Sequence, residues 1–141
     1  MRVTGDTQLT GTSLIREALL DPQEGARALR VWTPDGFRSF SRPAWHDLAR
    51  RIALGVRAHG LAPGVPVAAV LTNTPEACAV VPACWMAGHP VHSLPNIGRG
   101  QSLSDYGALL GRIVADGGAR LLLADTRTAH RLADAPLGCP V

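Results

Sequence analysis

This sequence of 141 residues contains no lysine; all 14 of its basic residues are arginine. Every mechanism that needs an ammonium group is thereby excluded within it: a phosphate-loop lysine, a Schiff base, a lysine gripping developing phosphate charge. Aromatic residues make up only 4%, so the core must be aliphatic and drawn from Ala, Val and Leu. The three cysteines, Cys78, Cys84 and Cys139, make no disulfide framework, and a reduced, cytoplasmic setting is expected. The apolar run around Val80 is broken by Pro82 and is too short to span a bilayer. MRVTGDTQLTGT lacks the apolar centre of a signal peptide, so a soluble protein with no membrane span is expected. The net charge is +3, but the arginines are dispersed, with no run longer than Arg50-Arg51. A nucleic-acid surface needs clustered charge and stacking aromatics, and no nucleic-acid partner is expected.

With 46% hydrophobic and 18% charged residues, the chain reads as globular and of a size for one domain. A polar tail over 1–12 precedes a single α/β domain over 13–141. SLIREALLDP (13–22) reads as a short helix. Strand-like runs at 28–33 and 37–40 flank Pro34-Asp35-Gly36, which is strong turn chemistry for a hairpin. Ser41 caps a long helix with Pro43 in its first turn, Trp45, Leu48, Ile52 and Val56 at helical spacing, and Gly60 as its stop.

VPVAAVL (65–71) reads as a parallel strand covered on both faces. The helix opening at Thr74 and Pro75 is apolar nearly all round through Ala87, so it is buried on more than one side, and Pro82 should kink it. Gly88 closes it, and PVHSL (90–94) is the next strand. NIGRGQS (96–102) is a loop. SDYGALLGRIVADGG then forms a helix striped by Tyr106, Leu109, Leu110, Ile113 and Val114. ARLLLAD (119–125) is a third buried strand, and TRTAHRLADA a short closing helix. The fold class is therefore α/β: an open, mainly parallel β-α-β-α-β-α sheet with helices on both faces, preceded by a helix and a hairpin.

Chemistry-bearing residues are few. Cys78, Cys84, His89 and His92 are the donors a zinc site would use, but Cys-x5-Cys is poor metal spacing, and cysteines in an apolar helix are usually small core residues. His89 and His92 have the intrinsic range for acid–base work. The plainer reading sets His89 at the negative end of the preceding helix and His92 in the sheet. Gly98-Arg99-Gly100 with Ser102 resembles a phosphate-cradling loop but lacks a third glycine. Asp105, Asp116 and Asp125 are single carboxylates suited to capping or solvation, and Tyr106, Trp85 and Trp45 suit the core. No catalytic, cofactor-binding or metal-ligating residue is assigned.

The stretch ARRIALGVRAHGLAPGVPVAAVLTNTPEACAVVPACWMAGHPVHSLP resembles the N-terminal region of the adenylate-forming superfamily of acyl-CoA synthetases and fatty acyl-AMP ligases. The resemblance rests on Gly60-Leu61-Ala62-Pro63-Gly64, Val67-Ala68-Ala69-Val70, Asn73-Thr74-Pro75-Glu76, Met86-Ala87-Gly88 and Leu94-Pro95. The segment at 104–125 looks most like the fatty acyl-AMP ligase branch. Met86 stands where the family usually has lysine, and His89 and His92 are departures from its pattern.

The resemblance implies ATP-dependent conversion of a fatty or related carboxylic acid to an acyl-adenylate, with the acyl group passing to coenzyme A or a carrier-protein thiol. It implies ATP and magnesium for the full-length family and no cofactor in this chain. The family's nucleotide loop, adenine motif, ribose-binding Asp and catalytic Lys come further along the chain and are not found here. The implied partners are the remainder of the ligase or a complementary subunit, and an acyl carrier protein. The alternatives are a non-catalytic interaction module or split ligase subunit docking through its apolar helix, and a small flavodoxin-like ligand binder.

Overall fold

The structure is a computed structural model that describes residues 27–33 and 35–141. The tail at 1–12 and the helix expected at 13–22 lie outside the described residues. Two antiparallel strands come first, β1 (Arg27–Thr33) and β2 (Gly36–Ser41), with Trp32 opposite Phe37 across the ladder. Their rings meet edge to face with centroids 4.9 Å apart, and the Arg30 guanidinium lies 4.5 Å over the Phe37 ring. Gly36 has φ of 103°, which the turn requires and a side chain would resist.

Helix α1 (Arg42–Ala58) follows directly, its first turn closed by Ser41 Oγ, which accepts from the Ala44 amide at 3.3 Å. A strand–helix alternation then runs through β3 (Val67–Val70), α2 (Pro75–Ala87), β4 (Val91–Leu94), α3 (Leu103–Asp116), β5 (Leu122–Leu123) and α4 (Thr126–Leu132). The three later strands form one parallel sheet in the order β4-β3-β5. β3 is its middle strand, with every residue buried, as expected of a continuous apolar run covered on both sides.

The alternation of side chains along β3 divides the core. Val67 and Ala69 meet Val56 of α1 and Val80 and Cys84 of α2. Ala68 and Val70 face the other way, onto Tyr106, Leu110 and Val114 of α3 and Leu132 of α4. Helices thus cover both faces of the sheet, as the pattern of elements implies.

Two findings differ in detail from the sequence expectation. The strand expected over 119–125 is paired as β5 only at Leu122–Leu123. Its outer side meets the C-terminal segment, where the Leu122 amide donates to the Pro140 carbonyl at 2.9 Å. The residues of α1 that are fully buried are Ala49, Ala53 and Val56, with Trp45, Leu48 and Ile52 half-buried. The reason is a helix pair: Ala49 and Ala53 of α1 oppose Ala79 and Ala83 of α2, and small side chains let the two backbones approach.

Helix α2 runs unbroken through Pro82. Proline has no amide hydrogen, so the Cys78 carbonyl loses its donor within the helix. The indole Nε1 of Trp45 on α1 donates to that carbonyl at 3.3 Å. An orphaned acceptor in one helix is thereby satisfied from the neighbouring one.

Candidate functional site

The order β4-β3-β5 means that the chain leaves β3 toward one side for β4 and then returns past β3 to β5. The helix after β3 packs on one face of the sheet and the helix after β5 on the other. Adjacent strands whose following helices part in this way leave a crevice at their carboxyl ends, the usual place for a ligand in an open α/β sheet. A cavity of about 240 Å³ lies there. Val70 and Leu123 form its strand side, Thr74, Glu76 and Val80 its α2 side, and Asp125 closes it.

Most of the polar groups at the crevice are already engaged. Thr74 Oγ1 accepts from the Ala77 amide at 3.1 Å, capping α2. Asp125 Oδ1 accepts from the Thr128 amide at 2.8 Å, capping α4. That backbone bond is the main cause of a carboxyl pKa below the ordinary value, opposed by partial burial. The Thr72 hydroxyl adds to the lowering, yet its geometry falls short of a formed hydrogen bond, and its buried Oγ1 has no partner among the described residues. Glu76, in the first turn of α2, is exposed and its carboxylate favours the positive helix end.

The arrangement can seat a small apolar group. The charged residues that line it are two carboxylates, Glu76 and Asp125, which repel phosphate.

Asp125 gives a pH signature. A carboxyl with a depressed folded pKa stabilises the fold fully above its unfolded pKa of about 3.9, and that contribution is lost as pH falls through the folded value. Asp125→Ala is therefore expected to cost about 1 kcal/mol at neutral pH, as for other lost caps. The gap from the parent should close below about pH 4 in denaturant titrations. A gap that persists or widens in acid would show that the ionised cap is not its source.

The residues weighed as metal or acid–base groups are placed elsewhere and apart. Cys84 is fully buried in the core under α2, and burial pushes its thiol up to about 11. Burial raises Cys78 as well, helped by Glu76, and raises Cys139, where Arg120 opposes it. All three thiols thus favour the protonated form, a poor ligand and a poor nucleophile. Among the described residues, no three of the His, Cys, Asp and Glu side chains gather as a metal site would need.

His89 is 4% exposed, and its Nδ1 lies 3.0 Å from the Val65 carbonyl, which fixes Nδ1 as the protonated donor. Its backbone amide donates to the Cys84 carbonyl at 2.9 Å, just past the left-handed Gly88 that ends α2. His89 thus joins the end of α2 to the loop before β3. His92 is half-buried on β4, its ring packed against the Gly117 backbone at the end of α3, where a Cβ would collide with Nδ1.

In the 98–102 loop, the Gly98 amide donates to Gln101 Oε1 at 3.0 Å. Ser102 Oγ accepts from the Asp105 amide at 3.0 Å and donates to Asp105 Oδ2 at 2.7 Å, a reciprocal cap for α3. The Gly98 and Asp105 amides and the Ser102 hydroxyl, donors that a phosphate would use, are therefore engaged within the loop. Tyr106 is buried and its hydroxyl donates to the Pro95 carbonyl at 2.9 Å. Trp85 departs from the core expectation: it is 51% exposed, on the side of α2 that neither α1 nor the sheet covers. The crevice was not singled out from the sequence, because its place depends on strand order rather than on any local motif.

No family model and no curated protein matches the chain. Solved structures do. An acyl-CoA synthetase from Brucella canis superposes with a TM-score of 0.70 at 19% identity, over 89% of this chain and 22% of that one. A fatty acyl-adenylate ligase from L. pneumophila, in complex with acyl adenylate and pyrophosphate, gives 0.70 at 17% identity, over 91% of this chain and 22% of its own. An O-succinylbenzoate coenzyme A synthetase from Bacillus subtilis, in complex with AMP, gives 0.62 at 17%, over 88% and 30%. The chain thus spans between 22% and 30% of the length of these three enzymes. At such identities the likeness is one of fold: this polypeptide has the architecture of one part of the acyl-CoA synthetases and acyl-adenylate ligases.

Proposed function

We propose that this chain is the N-terminal segment of an ATP-dependent acyl-activating ligase, forming an acyl-adenylate from a fatty or related carboxylic acid, and is inactive alone. The observation that supports this reading is the pair of coverages: most of this chain superposes on less than a third of each ligase. The absence of lysine agrees with a segment that leaves nucleotide handling to residues outside it. ATP and magnesium would then be bound by the remainder of the ligase, and a carrier-protein or coenzyme A thiol would take the acyl group. Three free cysteines suit a cytoplasmic setting, and among the described residues no helix is long and apolar enough to cross a membrane.

A second reading, a non-catalytic module that docks a partner protein, draws on the face of α2 where Trp85 is exposed and Cys78 and Val81 are only half-buried. The test is ATP–pyrophosphate exchange by the purified chain with a panel of fatty acids, together with the coding frame beyond Val141. Background exchange and a downstream frame encoding a Gly/Ser/Thr-rich loop with a lysine are expected. Acid-dependent exchange by the chain itself overturns the proposal, and a frame that stops without such a loop favours the module.

A further inference from the structure

Positive charge is concentrated in one stretch of the chain. Residues 27–58, the hairpin and α1, hold seven arginines against two aspartates, whereas residues 59–141 hold five arginines against five acidic residues. Within α1 the cationic face is specific. Arg51 is spent on Asp47 at 3.3 Å, the one ion pair among the described residues. Arg50, Leu54 and Arg57 lie at i, i+4 and i+7, and so share one side of the helix. Leu54 is 63% exposed between the two guanidinium groups. Beside it a groove of about 190 Å³ opens between α1 and α2, floored by Ala53, Leu54 and Met86 and flanked by Arg50 and Arg57. Arg57 Nη2 donates to the Met86 carbonyl at 2.6 Å, which fixes that guanidinium at the rim and leaves its other N–H groups available.

We propose that this groove docks an acidic amphipathic helix of a partner protein. One apolar side chain of the partner would sit on Leu54 and Met86, and carboxylates one turn to either side would meet Arg50 and Arg57. The two-helix groove suits a helix rather than a strand, and its charge selects an acidic one. Single-stranded nucleic acid fits less well, since no aromatic lines the groove: Trp32 and Phe37 meet edge to face on the hairpin. The inference goes beyond acyl activation and stands or falls without it.

The test uses the full chain and a synthetic amphipathic helix of about 18 residues with one leucine stripe and glutamates on both flanks, followed by fluorescence anisotropy. Saturable binding is expected, weakened about tenfold by Arg50→Glu and also by Leu54→Ser, and several-fold by raising salt from about 0.05 M to about 0.3 M. Both substituted side chains face solvent, so the variants should melt with the parent, and a shared loss of binding is then a loss of contact. Equal binding of a scrambled peptide of the same composition, of polyglutamate, of an oligothymidylate or of anionic vesicles overturns the proposal. So does binding that survives both variants. Tighter binding after Glu17, Asp21 and Glu24 are neutralised also overturns it, because the chain's own acidic residues would then be the occupant.

Discussion

Replacing Trp45 by alanine is expected to destabilise the protein by about 3 kcal/mol or more, since it removes a large packed side chain and orphans a carbonyl together. The two effects are separable. Trp45→Phe keeps most of the packing and loses only the N–H, at a cost of about 1–2 kcal/mol. In a Pro82→Ala background, residue 82 regains its own amide hydrogen and can bond the Cys78 carbonyl within α2. The indole donor is then redundant, and Trp45→Phe should cost about 1 kcal/mol less there than in the parent. Denaturant titrations of the four proteins measure this directly. An identical cost in both backgrounds would refute the idea that Trp45 stands in for the missing helical donor.

A comparable loss is expected from a gain of volume. Ala83 is fully buried against Ala49, Ala53 and Ala79 where α1 and α2 cross. Leucine there must push the helices apart or adopt a strained rotamer, at a cost of about 1–3 kcal/mol, reaching higher if α2 cannot shift. Both helices cover the same face of the sheet, so separating them also loosens Val56, Val80 and Cys84 on β3. Leu54→Ala, on the exposed side of the same helix, should fall within about 0.5 kcal/mol of the parent. If Ala83→Leu is as mild as Leu54→Ala in thermal melts, the helix contact is looser than described.

These alanines show where the sequence stops being informative. Strand and helix order was readable because each apolar run had its own period and each helix its own punctuation: Ser41 and Pro43, Thr74 and Pro75, Gly88. The buried side of α1 was not, because alanine suits a crossing helix and an open surface alike. The large residues Trp45, Leu48 and Ile52 therefore look like the core stripe, although they sit at the border of the contact. ARLLLAD reads as a full strand since it is apolar enough for burial on both sides, yet burial does not fix how many ladder partners a strand finds. Neither the crevice nor the cationic groove has a local signature. The first arises from a strand order set by crossovers, and the second from arginines that only a helical turn brings together.

β4 is the outermost strand of its sheet, bonded to β3 along one side and to no other strand among the described residues. Its far row of amides and carbonyls, from Val91 to Leu94, is thus a template of hydrogen-bonding groups awaiting a complement. A longer polypeptide can extend the sheet from that row. In isolation the same row invites edge-to-edge pairing of two identical molecules, so the lone domain should associate increasingly into dimers as its concentration rises.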